Sequence, residues 1–120
     1  MTTWQVEYTD EFGEWWEALS PAEQASLEAG IRLLEQFGPH LSRPYADTLK
    51  GSRHANMKEL RTSSRGRPLR TLFAFDPRRC AILLIGGDKT GDERFYERMI
   101  PLADRLYDAY LDELRKEGLI

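Results

Sequence analysis

The stretch MKELRTSSRGRPLRTLFAFDPRRCAILLIGGDKT, residues 57–90, decides the fold. It reads as three consecutive strands: Met57–Thr62, Leu69–Phe75 and Cys80–Ile85. Ser63-Ser64-Arg65-Gly66-Arg67 and Asp76-Pro77-Arg78-Arg79 carry turn chemistry between them. Ala81 to Ile85 is apolar throughout, the pattern of a central strand covered on both faces. Alternation places Leu60 toward the core, with Glu59 and Arg61 on the other face. In the next strand Leu69, Thr71, Phe73 and Phe75 suit the core, so Arg70 faces away with Leu72 and Ala74. With the turn centred on Arg65-Gly66, Arg61 and Arg70 stand directly opposite each other. Facing like charges destabilise a sheet. Relief comes either from a bound anion such as phosphate or from a carboxylate, Glu59 or Asp88.

Upstream, Trp4, Val6 and Tyr8 alternate with Gln5 and Glu7 as a strand does. Thr9 can cap a helix whose first turn holds Asp10 and Glu11 and whose stripe is Phe12, Trp15, Trp16 and Leu19. Ser20-Pro21-Ala22-Glu23 is a capping box with proline at the first helical position. It opens a second helix with Leu27, Ile31, Leu34 and Phe37 on one stripe, stopped by Gly38-Pro39. The near-absence of a linker predicts an antiparallel helical hairpin. Residues Gly38 to Asn56 read as a long loop. Downstream, Thr90-Gly91-Asp92-Glu93 forms a second capping-box pattern. Phe95, Met99, Leu102, Leu106, Tyr110 and Leu114 then share a stripe, with Pro101 predicting a short helix, a kink near Ile100 and a longer helix to about Arg115. The order β-α-α-β-β-β-α is an α+β domain whose antiparallel meander packs on the helical hairpin.

At 120 residues the chain is expected to be one domain, residues 1–120. The longest apolar run falls far short of the ~20 residues that span a bilayer, and the N-terminus opens with no basic region or apolar core of a signal peptide. A soluble cytoplasmic protein with no membrane association is the expectation. Its one cysteine, Cys80, beside the apolar run, reads as a buried structural thiol. The net charge of −3 hides a division. Residues 1–38 hold eight acids and one base, residues 39–90 eleven bases and four acids, and residues 91–120 eight acids and five bases. A basic middle between acidic ends points to a polyanion-facing surface.

Besides Arg61 and Arg70, the cations Lys50, Arg53, His54 and Lys58 precede the strand pair, Arg65 and Arg67 sit at its tip, and Lys89 follows the central strand. Arginine forks phosphate, whereas lysine is a compact charge whose pKa falls among other cations. No metal or other cofactor is expected: His40 and His54 stand apart with no clustered cysteine or carboxylate. Gly86-Gly87-Asp88-Lys89-Thr90 lacks the spacing of a nucleotide-binding phosphate loop. No serine or cysteine triad is visible.

Leu49-Lys50-Gly51-Ser52, Lys58-Glu59-Leu60-Arg61, Pro68-Leu69-Arg70-Thr71-Leu72-Phe73 and Ile82 to Thr90 together resemble the RelE/ParE superfamily of type II toxins, in its HigB-type, phage-related branch. The resemblance covers most of the chain. It implies a ribosome-dependent, metal-independent mRNA endonuclease held inactive by a cognate antitoxin, commonly of helix-turn-helix type. Its partners would be that antitoxin and mRNA on the ribosome. By motif, Arg61, Arg70 and Lys89 match the family's basic sheet positions and are the catalytic candidates. Lys50 and Lys58 match its flanking basic positions. With Arg53, His54, Arg65 and Arg67 they make the RNA-binding candidates. Arg61 and Arg70 would clamp the phosphate, and Lys89, Lys58 or His54 would move protons. The alternatives are a ParE-like toxin that inhibits DNA gyrase by binding, without RNase activity, and an inactive adaptor that only binds its partner.

Overall fold

The computed structural model describes residues 3–120. Strand β1 (Val6–Tyr8) leads into helices α1 (Asp10–Ala18) and α2 (Pro21–Phe37). A short edge strand β2 (Ala46–Thr48), the strands β3 (Lys58–Ser64), β4 (Arg67–Phe75) and β5 (Ala81–Asp88), and helix α3 (Phe95–Lys116) complete the chain. The sheet order is β1-β5-β4-β3-β2, antiparallel except where β1 runs parallel to β5. This is the expected α+β order with one added edge strand.

Both N-terminal caps form as their sequences dictate. Thr9 Oγ1 accepts from the Phe12 N–H at 3.0 Å and donates to the Leu84 carbonyl at 2.7 Å, so one hydroxyl starts α1 and ties it to β5. Ser20 and Glu23 exchange both hydrogen bonds of a capping box. The helices lie on one face of the sheet, where Phe12, Leu27 and Leu34 meet Leu60, Phe73, Ala81 and Leu83. Helix α3 covers the other face, where Phe95, Met99, Ile100, Ala103 and Tyr107 meet Met57, Leu72, Ala74, Ile82 and Leu84. Strand β5 contributes to both cores, which explains its unbroken apolar run.

Several expectations need correction. The 38–56 segment holds a 3-10 turn at Gly38–His40 and strand β2, because its backbone pairs with β3 at Ala46↔Leu60 through Thr48↔Lys58. Phe37 is exposed rather than part of the α2 core stripe. The Thr90-Glu93 capping box does not form. Thr90 donates to Asp88 instead, and α3 starts at Phe95 after Arg94, which provides no side-chain cap. Pro101 lies inside one continuous helix, Phe95–Lys116.

The hairpin turn centres on Arg65-Gly66 as expected. Ser64 pairs with Arg67, and both turn residues take positive φ, 52° and 79°, the signature of a tight two-residue hairpin. Gly86 and Gly87 are explained by close packing. A Cβ on Gly86 would collide with the Trp15 ring of α1, and one on Gly87 would lie 2.8 Å from Phe95 of α3. Gly86→Ala is therefore expected to cost roughly 1–3 kcal/mol by overpacking. Trp15→Leu in the same chain should recover part of that loss in chemical denaturation. An unchanged midpoint for Gly86→Ala would show that Trp15 does not seat there.

Candidate functional site

Strand register puts Arg61 directly opposite Arg70, on the face that α3 covers. Sequence alternation foresaw the pairing but left that face uncovered. Arg70 is in fact buried, only 7% exposed, under the start of α3. Between the two guanidiniums lies Glu59, also buried. Arg61 Nη1 donates to Glu59 Oε2 at 3.2 Å, and Arg70 Nε stands 3.7 Å from Glu59 Oε1, an ion pair too long for a hydrogen bond. Arg70 Nη1 donates to the Leu69 carbonyl at 3.0 Å, while buried Nε has no hydrogen-bond partner among the described residues. Of the two carboxylates that could relieve the pair, the structure uses Glu59.

Asp88 is excluded by a bulge in β5. Pairing with β4 shifts between Leu72↔Ile85 and Phe73↔Leu83, leaving Leu84 as an extra residue. The side-chain period is two, so one extra residue exchanges the faces of everything beyond it. Asp88 consequently sits opposite Leu69, away from the arginines, and forms an ion pair with Arg67 at 3.8 Å. The Thr90 hydroxyl bonded to it lowers its pKa, outweighing burial, which acts the other way. The same shift puts Lys89 on the Arg70 side, with its ammonium 5.3 Å from the centre of the Tyr96 ring.

Tyr96, in the first turn of α3, is the residue that sequence reading passed over. Its hydroxyl donates to Glu59 Oε1 at 2.6 Å. Burial, then the bond to Glu59, raises its pKa, so the phenol is neutral and available as a donor. The site thus gathers Glu59, Arg61, Arg70, Lys89 and Tyr96. Asp47 lies opposite Glu59 on the same face but is ion-paired with Arg43, so two guanidiniums and one ammonium stand against Glu59, which leaves a cationic site.

The cluster opens to solvent through a groove of about 480 Å³ lined by Pro44, Tyr45, Arg61, Thr62, Pro68 and Arg70, among others. Arg61, whose side chain is 26% exposed, is the accessible member of the pair. Lys58 is not part of this site. It pairs with Phe73 on the α1/α2 face and lines a separate hollow beside His40 and Thr48. His54 and Arg53 are also elsewhere. Both bind Asp108 of α3, His54 Nε2 at 2.8 Å from its carboxylate, and His54 rests edge-on against Tyr107. The His54 hydrogen bond, the largest influence, holds the Asp108 carboxyl below its usual range. These contacts fasten the 52–56 loop to α3. Lys50 is exposed, and Arg65 and Arg67 project from the hairpin tip. Tyr107 and Tyr110 act in packing, their hydroxyls held by the Phe75 carbonyl and by Glu7. Burial and that Glu7 contact push Tyr110 up to about 12.

The arrangement defines a class: a small sheet layered between helices, with a charge-imbalanced arginine pair beneath an open groove. The chain belongs to the phage-derived Gp49-like family, whose model matches residues 14–108 and so includes every residue of this site. It is similar to the Mycobacterium tuberculosis protein named "Putative toxin HigB3", 48% identical over 98 residues, 81% of this chain and 84% of that one. It is also similar to "Putative toxin HigB2" of the same organism, 49% identical over 85 residues, 69% of this chain and 42% of that protein. Among the described residues no helix is long and apolar enough to cross a membrane.

Proposed function

We propose that the chain is the toxin of a toxin–antitoxin pair on a RelE/ParE-type fold, forming one toxin domain that cleaves mRNA in the cytoplasm. The observation that carries this reading is the Arg61–Arg70 pair, ion-paired with a single shared carboxylate, Glu59, beneath a solvent-open groove. A buried arginine facing a partly exposed one, with a net positive charge, is a site for a phosphate, and arginine supplies the planar fork that phosphate oxygens match. The two relatives' toxin names and the family match agree with a toxin role. They also support a cognate antitoxin as partner.

Metal-free RNA cleavage forms a bond from the 2′-oxygen to phosphorus and breaks the bond to the 5′-oxygen. The 2′-hydroxyl proton passes to a base, the leaving oxygen takes a proton from an acid, and a cyclic phosphate remains. Arg61 and Arg70 would stabilise the additional phosphorane charge. Lys89 is the one expected proton carrier that shares their face. The neutral Tyr96 phenol beside it is a second, whereas Lys58 faces the opposite side of the sheet and His54 is held by Asp108. Antitoxin binding would silence the protein either by covering this groove or by blocking its approach to the ribosome.

The test is to induce the chain in a bacterial host and map mRNA 5′ ends, with Arg61→Ala as control. New ends inside translated frames, lost when translation is blocked and absent in the control, are expected. Growth arrest with intact mRNA and altered DNA supercoiling would replace this reading with the gyrase-directed one. No arrest would leave a partner-binding adaptor.

A further inference from the structure

We propose that the groove beside the arginine pair is a nucleobase subsite, in which Tyr45 stacks on a base of single-stranded RNA while Arg61 holds an adjoining phosphate. The inference rests on the RNA-directed reading above and adds what part of the substrate the groove takes and which residue recognises it.

Tyr45 immediately precedes edge strand β2, and its carbonyl accepts from the Arg61 N–H at 2.7 Å. Ala46, the next residue, pairs with Leu60 and is buried on the α1/α2 face. Alternation therefore turns Tyr45 to the opposite face, the one that carries Arg61. Both side chains line the same groove. Tyr45 is 48% exposed, one of few large apolar side chains left in solvent. Of the other tyrosines, Tyr96, Tyr107 and Tyr110 each bind a buried or half-buried acceptor through the hydroxyl, and exposed Tyr8 lies on the α1/α2 face beside Phe12, away from the groove. The Tyr45 hydroxyl has no protein partner among the described residues, and its ring has no aromatic neighbour there.

The rest of the lining suits a flat ligand bearing an anion. Pro44 and Pro68 make stiff walls, and Gly66 adds no side chain at the mouth. The floor is cationic because Glu59 balances only one of two guanidiniums. An aromatic face next to an arginine is how proteins hold single-stranded nucleic acid, the ring taking the base and the cation the backbone. An apolar peptide side chain would use the ring but leave the floor charge unanswered, which favours a nucleotide.

The test measures binding of a short oligoadenylate and of its fully abasic analogue, which keeps the phosphates and loses the rings. Tyr45 is exposed, so substitution there leaves the fold intact, checked by an unchanged melting temperature. Tyr45→Ala is expected to weaken oligoadenylate binding by about 5- to 100-fold, with little effect on the abasic strand. Tyr45→Trp should bind oligoadenylate at least as well as the native chain. Equal affinity of Tyr45→Ala and the native chain for oligoadenylate overturns the inference, as does an equal loss on both strands. Arg61→Gln separates this failure from that of the parent reading, because losing a phosphate contact weakens both strands and flattens the salt dependence. If Arg61→Gln weakens binding and Tyr45→Ala does not, the stacking inference falls and the RNA reading stands. If neither matters, both fall. Should Tyr45→Ala weaken only the antitoxin complex, the groove is a protein-docking surface and the inference is again overturned.

Discussion

Glu59→Gln is expected to lower the stability of the fold by about 3–5 kcal/mol, with part of the loss returned by added phosphate. Glu59 is buried and lies between two cross-strand guanidiniums, one within hydrogen-bond reach and one at 3.7 Å. Glutamine has nearly the same shape and can still accept from Tyr96. What disappears is the one carboxylate ion-paired with both guanidiniums. Arg70 cannot turn to water, because it is buried under α3 and tied to the Leu69 carbonyl. Leaving a buried charge uncompensated is the costly way to break an ion pair. For a domain of this size the melting temperature should fall on the order of 10–20 °C. Phosphate should raise it more in the variant than in the native chain. A melting temperature within a degree or two of native, without a phosphate response, would show that Glu59 does not neutralise the pair.

Why is the pair legible in the sequence, and its surroundings not? Register in a two-residue hairpin follows from the turn, and the turn from Arg65-Gly66. The positions of Arg61 and Arg70 therefore follow from local chemistry. The two helix caps and the two-faced burial of β5 are legible for the same reason. The bulge at Leu84 is different. Its residues are all apolar, so no local signal distinguishes a bulged from a regular strand, yet it moves Asp88 off the arginine face and Lys89 onto it. Tyr96 is hidden twice. The Thr90-Glu93 pattern places the helix start too early, and the apolar stripe draws attention to Phe95 beside it. Its contact with Glu59 spans 37 positions and depends on how α3 crosses the sheet. Strand β2 is hidden because Ala46-Asp47-Thr48 is too short and too polar to stand out, although its pairing brings Tyr45 to the groove. Clustering of cations in sequence likewise does not predict clustering in space. Arg53 and His54 are drawn to Asp108, which sits on a distant helix.

Arg61→Ala is expected to reduce RNA cleavage by about 10²- to 10³-fold, comparable to deleting one donor that stabilises a transition-state anion. Its effect on stability should be small. Arg61 is the partly exposed member of the pair, and removing it ends the repulsion with Arg70 while Glu59 remains to balance that residue. Loss of the Arg61–Glu59 contact and gain from relieved repulsion oppose each other, so the net change should stay within about 1 kcal/mol. This makes Arg61 a cleaner probe than Arg70, whose removal would also empty a buried position. Arg61→Lys sharpens the result. Lysine keeps the charge but not the planar fork, so it should restore binding to polyanions more fully than it restores cleavage. Cleavage rates under single-turnover conditions, measured alongside thermal melts, decide the matter. Near-native cleavage by Arg61→Ala in a folded protein would remove the arginine pair from the chemistry and leave it a structural feature of the sheet.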